Sequence, residues 1–121
     1  MPPPRPLVIL VADDEPMIVQ ALARVLERRG HTVHTAHDAH AALDLLRRHT
    51  FDAVLVDARM PGDGLTVLRE VDRDPSFSGV AVLMTGGLAT DPSSQVSPSV
   101  RRLQKPFRFP DVIPLVEGTR H

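Results

Sequence analysis

The sequence contains no cysteine, no tryptophan and no tyrosine. Without cysteine there is no disulfide framework, no cysteine-ligated zinc and no thiol nucleophile. Four phenylalanines are the whole aromatic complement, too few for a platform on which bases stack. An excess of one charge is missing too. Fourteen Lys and Arg stand against fifteen Asp and Glu, a net charge of −1. Binding to a phosphate backbone needs a basic excess, so direct nucleic-acid binding is not expected. Nor is there a long apolar run. The longest, Leu7 to Ala12, has six residues, far short of the roughly 20 a membrane span needs. Met1-Pro2-Pro3-Pro4 lacks the apolar region of a secretion signal. The expectation is a soluble, cytoplasmic protein. Its 121 residues fit one domain with one sizeable core. Residues 1–6 read as a proline-rich tail and residues 7–121 as that domain.

What is present is an alternation of strands and helices. Leu7 to Ala12 is apolar throughout and meets Asp13-Asp14-Glu15-Pro16. Pro16 suits the first turn of a helix. Met17, Ile18, Ala21, Leu22, Val25 and Leu26 then follow at helical spacing, and Gly30 marks a stop. Thr32 to Ala36 alternates like a half-exposed strand. Asp38 is placed to cap a second helix, with Ala42, Leu43, Leu45 and Leu46 inward. Ala53 to Val56 is apolar and ends at Asp57. Gly62-Asp63-Gly64 opens a third helix through Leu65, Leu68 and Val71. Val80 to Met84 is apolar and ends at Thr85-Gly86-Gly87. A weaker strand runs from about Val100 to Gln104 and ends at Lys105-Pro106-Phe107. Between Thr85 and Lys105, residues 87–98 hold too much Gly, Pro and Ser for a stable helix. The final helix is weak because Pro114 falls where its second turn belongs.

Such alternation implies βαβ units and a parallel sheet. Strands 1, 3 and 4, apolar on both faces, belong in the centre. Strands 2 and 5 carry polar residues and belong at the edges. The order 2-1-3-4-5 satisfies this with right-handed crossovers, and ligands in such sheets bind outside the carboxyl ends of the strands. There the polar residues converge: Asp13 and Asp14, Asp57, Thr85 and Lys105. Three crowded carboxylates repel unless a cation sits among them. Few protein oxygens and retained waters suit Mg²⁺. A lysine and a hydroxyl opposite suit a phosphoryl group, and one carboxylate is then a nucleophile able to carry phosphate.

The set Asp13-Asp14, Asp57, Met60-Pro61, Thr85-Gly86 and Lys105-Pro106-Phe107, in order and each at a strand end, resembles the receiver domain of two-component response regulators, the CheY-like family. The likeness covers about residues 7 to 117. It implies a flavodoxin-like five-stranded sheet in the order 2-1-3-4-5, with the fourth helix degraded or absent and the fifth short. It implies that Asp57 accepts phosphate from a histidine kinase or a histidine phosphotransfer protein. It further implies that Asp14, Asp57 and the backbone carbonyl of Arg59 bind Mg²⁺ directly and Asp13 mostly through water. Lys105 pairs with a phosphoryl oxygen, and Thr85 and Gly86 bind the phosphoryl group. A downstream protein partner is implied but not named. Two departures stand out. The Met60-Pro61-Gly62-Asp63-Gly64 loop is one residue shorter than the family's, and the family's switch aromatic is replaced by Arg102.

Plainer readings stand beside these. Asp13 and Asp14 are also ordinary acids at a helix start, Asp57 and Thr85 ordinary turn residues, and Lys105 an ordinary surface lysine. His31, His34, His37 and His40 recur every three residues, but across strand, loop and helix start, so they do not align as metal ligands. Arg47-Arg48 and Arg101-Arg102 are ordinary solvated pairs. A degenerate receiver that binds partners without phosphorylation is the alternative to the phosphoacceptor. An aspartate-nucleophile phosphatase would need Asp at position 59, which is Arg. No metabolic activity is expected.

Overall fold

The computed structural model describes residues 5–86 and 96–117. Along the chain lie β1 (Val8–Ala12), α1 (Pro16–Arg28), β2 (Thr32–Ala36), α2 (Ala39–Arg48), β3 (Ala53–Asp57), α3 (Gly64–Arg73), β4 (Val80–Thr85) and β5 (Arg101–Gln104). A 3-10 turn at Phe109–Asp111 then leads into α4 (Val112–Glu117). The strands form one parallel sheet, β2-β1-β3-β4-β5. The fold is the expected parallel α/β layer. Most of the expected loss of a helix between β4 and β5 concerns residues 87–95, outside the described residues.

The apolar strands serve two cores at once. Ile9, Val11, Leu55, Val82 and Met84 pack under α1 and α4. Leu10, Ala12, Val54, Val56 and Leu83 pack under α2 and α3. A strand covered on both faces has no polar side to show, which is why these segments lack alternation. The helices show the complementary pattern. Val19, Leu22 and Leu26 of α1 are buried, and so are Val67, Leu68 and Val71 of α3.

Two expectations need correction. Met17 does not join the inward face of α1; it is 82% exposed. It lies five residues before Leu22, which at 100° per residue puts it on the opposite side of the helix. Pro114 falls in the first turn of α4, not the second. Amide groups in a first turn have no intrahelical partner, so the missing N–H costs little there. The helix is short all the same, at six residues.

Local chemistry fixes the helix starts. The Asp38 side chain accepts from the Ala41 N–H at 2.7 Å and caps α2. Asp63 caps α3 by accepting from the Leu65 N–H at 3.0 Å. The short loop before α3 closes through two consecutive residues at positive φ, Gly62 at 85° and Asp63 at 70°.

At the amino edge of the sheet the chain is clasped. The Leu7 N–H donates to His31 Nδ1 at 3.0 Å, so a neutral ring carries its proton on Nε2. Nε2 lies 2.6 Å from Glu117 Oε2. Arg29 holds the same carboxylate, with Nε 2.9 Å from Oε2 and Nη2 2.5 Å from Oε1. The His31 side chain is fully buried and that of Glu117 nearly so. The hydrogen bond from Arg29, helped by His31 and opposed by burial, keeps the Glu117 carboxyl below the usual carboxylate range.

Candidate functional site

Register and pleat bring the polar residues together at the carboxyl edge. Ala12 lies beside Val56, so the next residues, Asp13 and Asp57, are neighbours. Asp57 aligns with Met84, and Met84 with Leu103. Alternate residues share a face. Asp13, Asp57 and Lys105 follow Val11, Leu55 and Leu103, all of the α1 side. Three side chains from three strands are thereby aimed at one point.

Lys105 occupies that point. Its Nζ lies 2.8 Å from Asp13 Oδ2, 3.1 Å from Glu15 Oε1 and 3.6 Å from Asp57 Oδ1. Lys105 is the only lysine in the chain; every other cationic side chain apart from histidine is arginine. Burial works against its charge, but the close contact with the Asp13 carboxylate and the charges of Asp57 and Asp13 outweigh it. The ammonium is held above its ordinary pKa.

Asp57 is 4% exposed. Burial, followed by the negative charge of Asp13, pushes its carboxyl above the usual range. The charge of Lys105 and a hydrogen bond from the Arg59 backbone N–H oppose this without cancelling it, and Asp14 adds to the rise. Arg59 thus meets Asp57 through its N–H, whereas the expectation concerned its carbonyl. Asp13 is fully buried. Its Oδ1 accepts from the Glu15 N–H at 3.0 Å, and its carbonyl oxygen lies 3.2 Å from His37 Nδ1. Asp14 is exposed.

Glycine lets α3 close on this edge. A Cβ at Gly64 would run into the backbone carbonyl of Asp57. Only glycine lets the helix begin so close to the strand end. Thr85, half-buried, is the last residue of β4, and exposed Gly86 follows it. The Lys105 N–H donates to the Thr85 carbonyl at 2.7 Å, which ties β5 to β4 at the site. Arg102 stands apart. Its side chain lies on the opposite face of β5 from Leu103, and its Nη1 donates to the Val100 carbonyl at 3.1 Å.

The carboxylates fit a divalent cation. One oxygen from each of Asp13, Asp14 and Asp57 lies within 4.8 Å of the others. Buried Asp13 Oδ2 has the Lys105 ammonium as an ionic neighbour but no aligned hydrogen-bond donor. A hard anionic oxygen left in that state suits Mg²⁺ or a similar cation.

The sequence reading did not single out Glu15. Its one signal is its place next to the acidic pair Asp13-Asp14. The clasp of Arg29, His31 and Glu117 also went unseen, because its members lie 86 and 88 residues apart.

Comparison with known proteins agrees with this geometry. The family described as "Response regulator receiver domain" matches residues 9–115. The transcriptional regulatory protein TcrA of Mycobacterium tuberculosis is 38% identical over 84 residues, 69% of this chain and 33% of TcrA. The chain therefore spans about a third of that relative's length. A response regulator receiver protein from Sinorhizobium medicae superposes with a TM-score of 0.80 at 28% identity, covering 93% of this chain and 92% of the other. A response regulator protein from Burkholderia pseudomallei with a phosphorylated aspartic acid, calcium ion and citrate gives 0.79 at 27% identity, over 91% of this chain and 66% of the other. Among the described residues, no helix is long and apolar enough to cross a membrane.

Proposed function

Because this chain belongs to the response regulator receiver domain family of two-component signalling, we propose that it is a working phosphoacceptor with Asp57 as the residue modified. The observation that carries this is the buried Asp57 carboxylate beside both the sole lysine and a cation-ready pair of aspartates. An Asp57 carboxylate oxygen attacks the phosphorus of a phosphohistidine. The O–P bond forms as the N–P bond breaks, and the electron pair stays on the imidazole nitrogen. Lys105 meets the charge on the incoming phosphoryl oxygens. Thr85 and Gly86, at the end of β4, supply a hydroxyl and a backbone N–H to the same group. Asp13, Asp14, Asp57 and the Arg59 carbonyl would hold Mg²⁺, which when bound neutralises the crowded carboxylates and the phosphoryl charge. The protein's part is mainly positioning, since the transition state is loose.

The phosphodonor is a protein: a histidine kinase or a histidine phosphotransfer protein. An open groove of about 450 Å³ borders Lys105 and is floored by Ile18, Pro106, Phe107 and Phe109. A donor that delivers phosphohistidine to Asp57 must cover this groove, and an apolar helix face suits its lining.

Intact-mass measurement after treatment with acetyl phosphate and Mg²⁺ tests the assignment. One added phosphoryl group, lost in Asp57→Asn, is expected. An unchanged mass favours the phosphorylation-independent interaction module, and modification that survives the substitution means that Asp57 is not the residue modified.

A further inference from the structure

Lys105 lies closer to two other carboxylates than to Asp57. Its Nζ is 2.8 Å from Asp13, 3.1 Å from Glu15 and 3.6 Å from Asp57. An ammonium has three hydrogens to donate. Glu15 is the only one of these three carboxylates outside the cation-ready set of Asp13, Asp14 and Asp57. A cation among those three weakens the hold of Asp13 on the ammonium but leaves Glu15 untouched. A phosphoryl group on Asp57 must then compete with Glu15 for Lys105.

We infer that Glu15 is a positioning residue that draws the Lys105 ammonium away from Asp57 and so restrains phosphoryl transfer. This rests on the phosphoacceptor reading above. The geometry of the helix start supports it. Glu15 is the N-cap residue of α1, yet its side chain makes no capping hydrogen bond. It reaches instead across to Lys105, 90 residues along the chain. The Glu15 side chain is 61% exposed, so water screens the contact and the restraint is modest, about two- to fivefold in rate.

The lone lysine makes this measurable. Protein labelled with ¹⁵N-lysine carries a single side-chain ammonium nitrogen, that of Lys105. Without metal, Glu15→Gln is expected to shift that resonance and speed its hydrogen exchange with water. With acetyl phosphate and Mg²⁺, Glu15→Gln is expected to phosphorylate about two- to fivefold faster than wild type. Glu15→Asp keeps the charge but shortens the reach, and should show the same acceleration. Glu27→Gln, an exposed position near the far end of α1, removes the same charge and should leave both readings at wild type. Acceleration in Glu15→Gln without acceleration in Glu15→Asp would mean that the charge at position 15, and not its hold on Lys105, slows an anionic donor, and acceleration in Glu27→Gln would mean a general charge effect; either would overturn the inference. So would an unchanged ammonium resonance, or equal rates in all four proteins. If wild type takes up no phosphate at Asp57, the phosphoacceptor reading falls and the inference with it.

Discussion

Two carboxylates show how position alone sets opposite behaviour. Asp57 is raised by burial and by Asp13, so the folded protein binds a proton there more tightly than the unfolded chain. Its contribution to stability therefore falls as pH rises from the ordinary carboxylate range through its raised value. Asp57→Asn removes that penalty. The substitution is expected to raise the melting temperature of the metal-free protein at neutral pH by a few degrees, roughly 1 kcal/mol. Glu117 is lowered by Arg29 and His31. Its contribution is present above the ordinary carboxylate range and is lost as pH falls through its depressed value. Glu117→Gln should flatten that acid limb. Glu117→Ala, which leaves the buried His31 Nε2 without its partner, should cost on the order of 2 kcal/mol. Thermal melts across pH check both, and a wild-type acid limb in Glu117→Gln would refute the second.

Among the elements, α3 depends on the loop before it. Gly64→Ala drives a methyl into the Asp57 carbonyl, so strand end or helix must move. Mg²⁺-dependent phosphorylation is expected to fall at least tenfold, more than stability alone explains; melting and phosphorylation rate measured together separate the two effects. Asp63→Ala removes the α3 cap and leaves a less adaptable residue at φ 70°, costing about 1–2 kcal/mol by denaturant titration. This element scale is also where the sequence was most legible. Strands β1, β3 and β4 could be read because burial on both faces leaves no room for polar residues. Helix α1 could be read because Val19, Leu22 and Leu26 mark one stripe. Met17 misled because it keeps helical spacing to Ala21 while lying on the side of α1 away from Leu22. The convergence of Asp13, Asp14, Asp57 and Lys105 was legible because each sits at a strand end, a place the chain order alone defines. Glu15 and the clasp were not, since both depend on which distant side chain arrives opposite.

On the scale of the whole molecule, the two edges of the sheet differ in what they tolerate. The carboxyl edge gathers unlike charges that a cation would settle, so Mg²⁺ at ten times its dissociation constant should stabilise the fold by about 1.4 kcal/mol. That gain, read as a rise in melting temperature, should vanish in Asp14→Ala. The amino edge is already satisfied by its own side chains. Its clasp joins Arg29 and His31 to Glu117, 88 and 86 residues further on. During synthesis, then, His31 has no carboxylate to meet until almost the entire domain has left the ribosome. The early strands can form and pair, but the ring that must be buried between Leu7 and Glu117 waits for the last helix. Closing so long a loop is slow, so docking of α4 is expected late in folding, and Glu117→Ala should speed unfolding more than it slows folding. Until then a nascent chain is expected to keep its amino edge open, and limited proteolysis of chains stopped before Glu117 should cut there faster than in the complete domain.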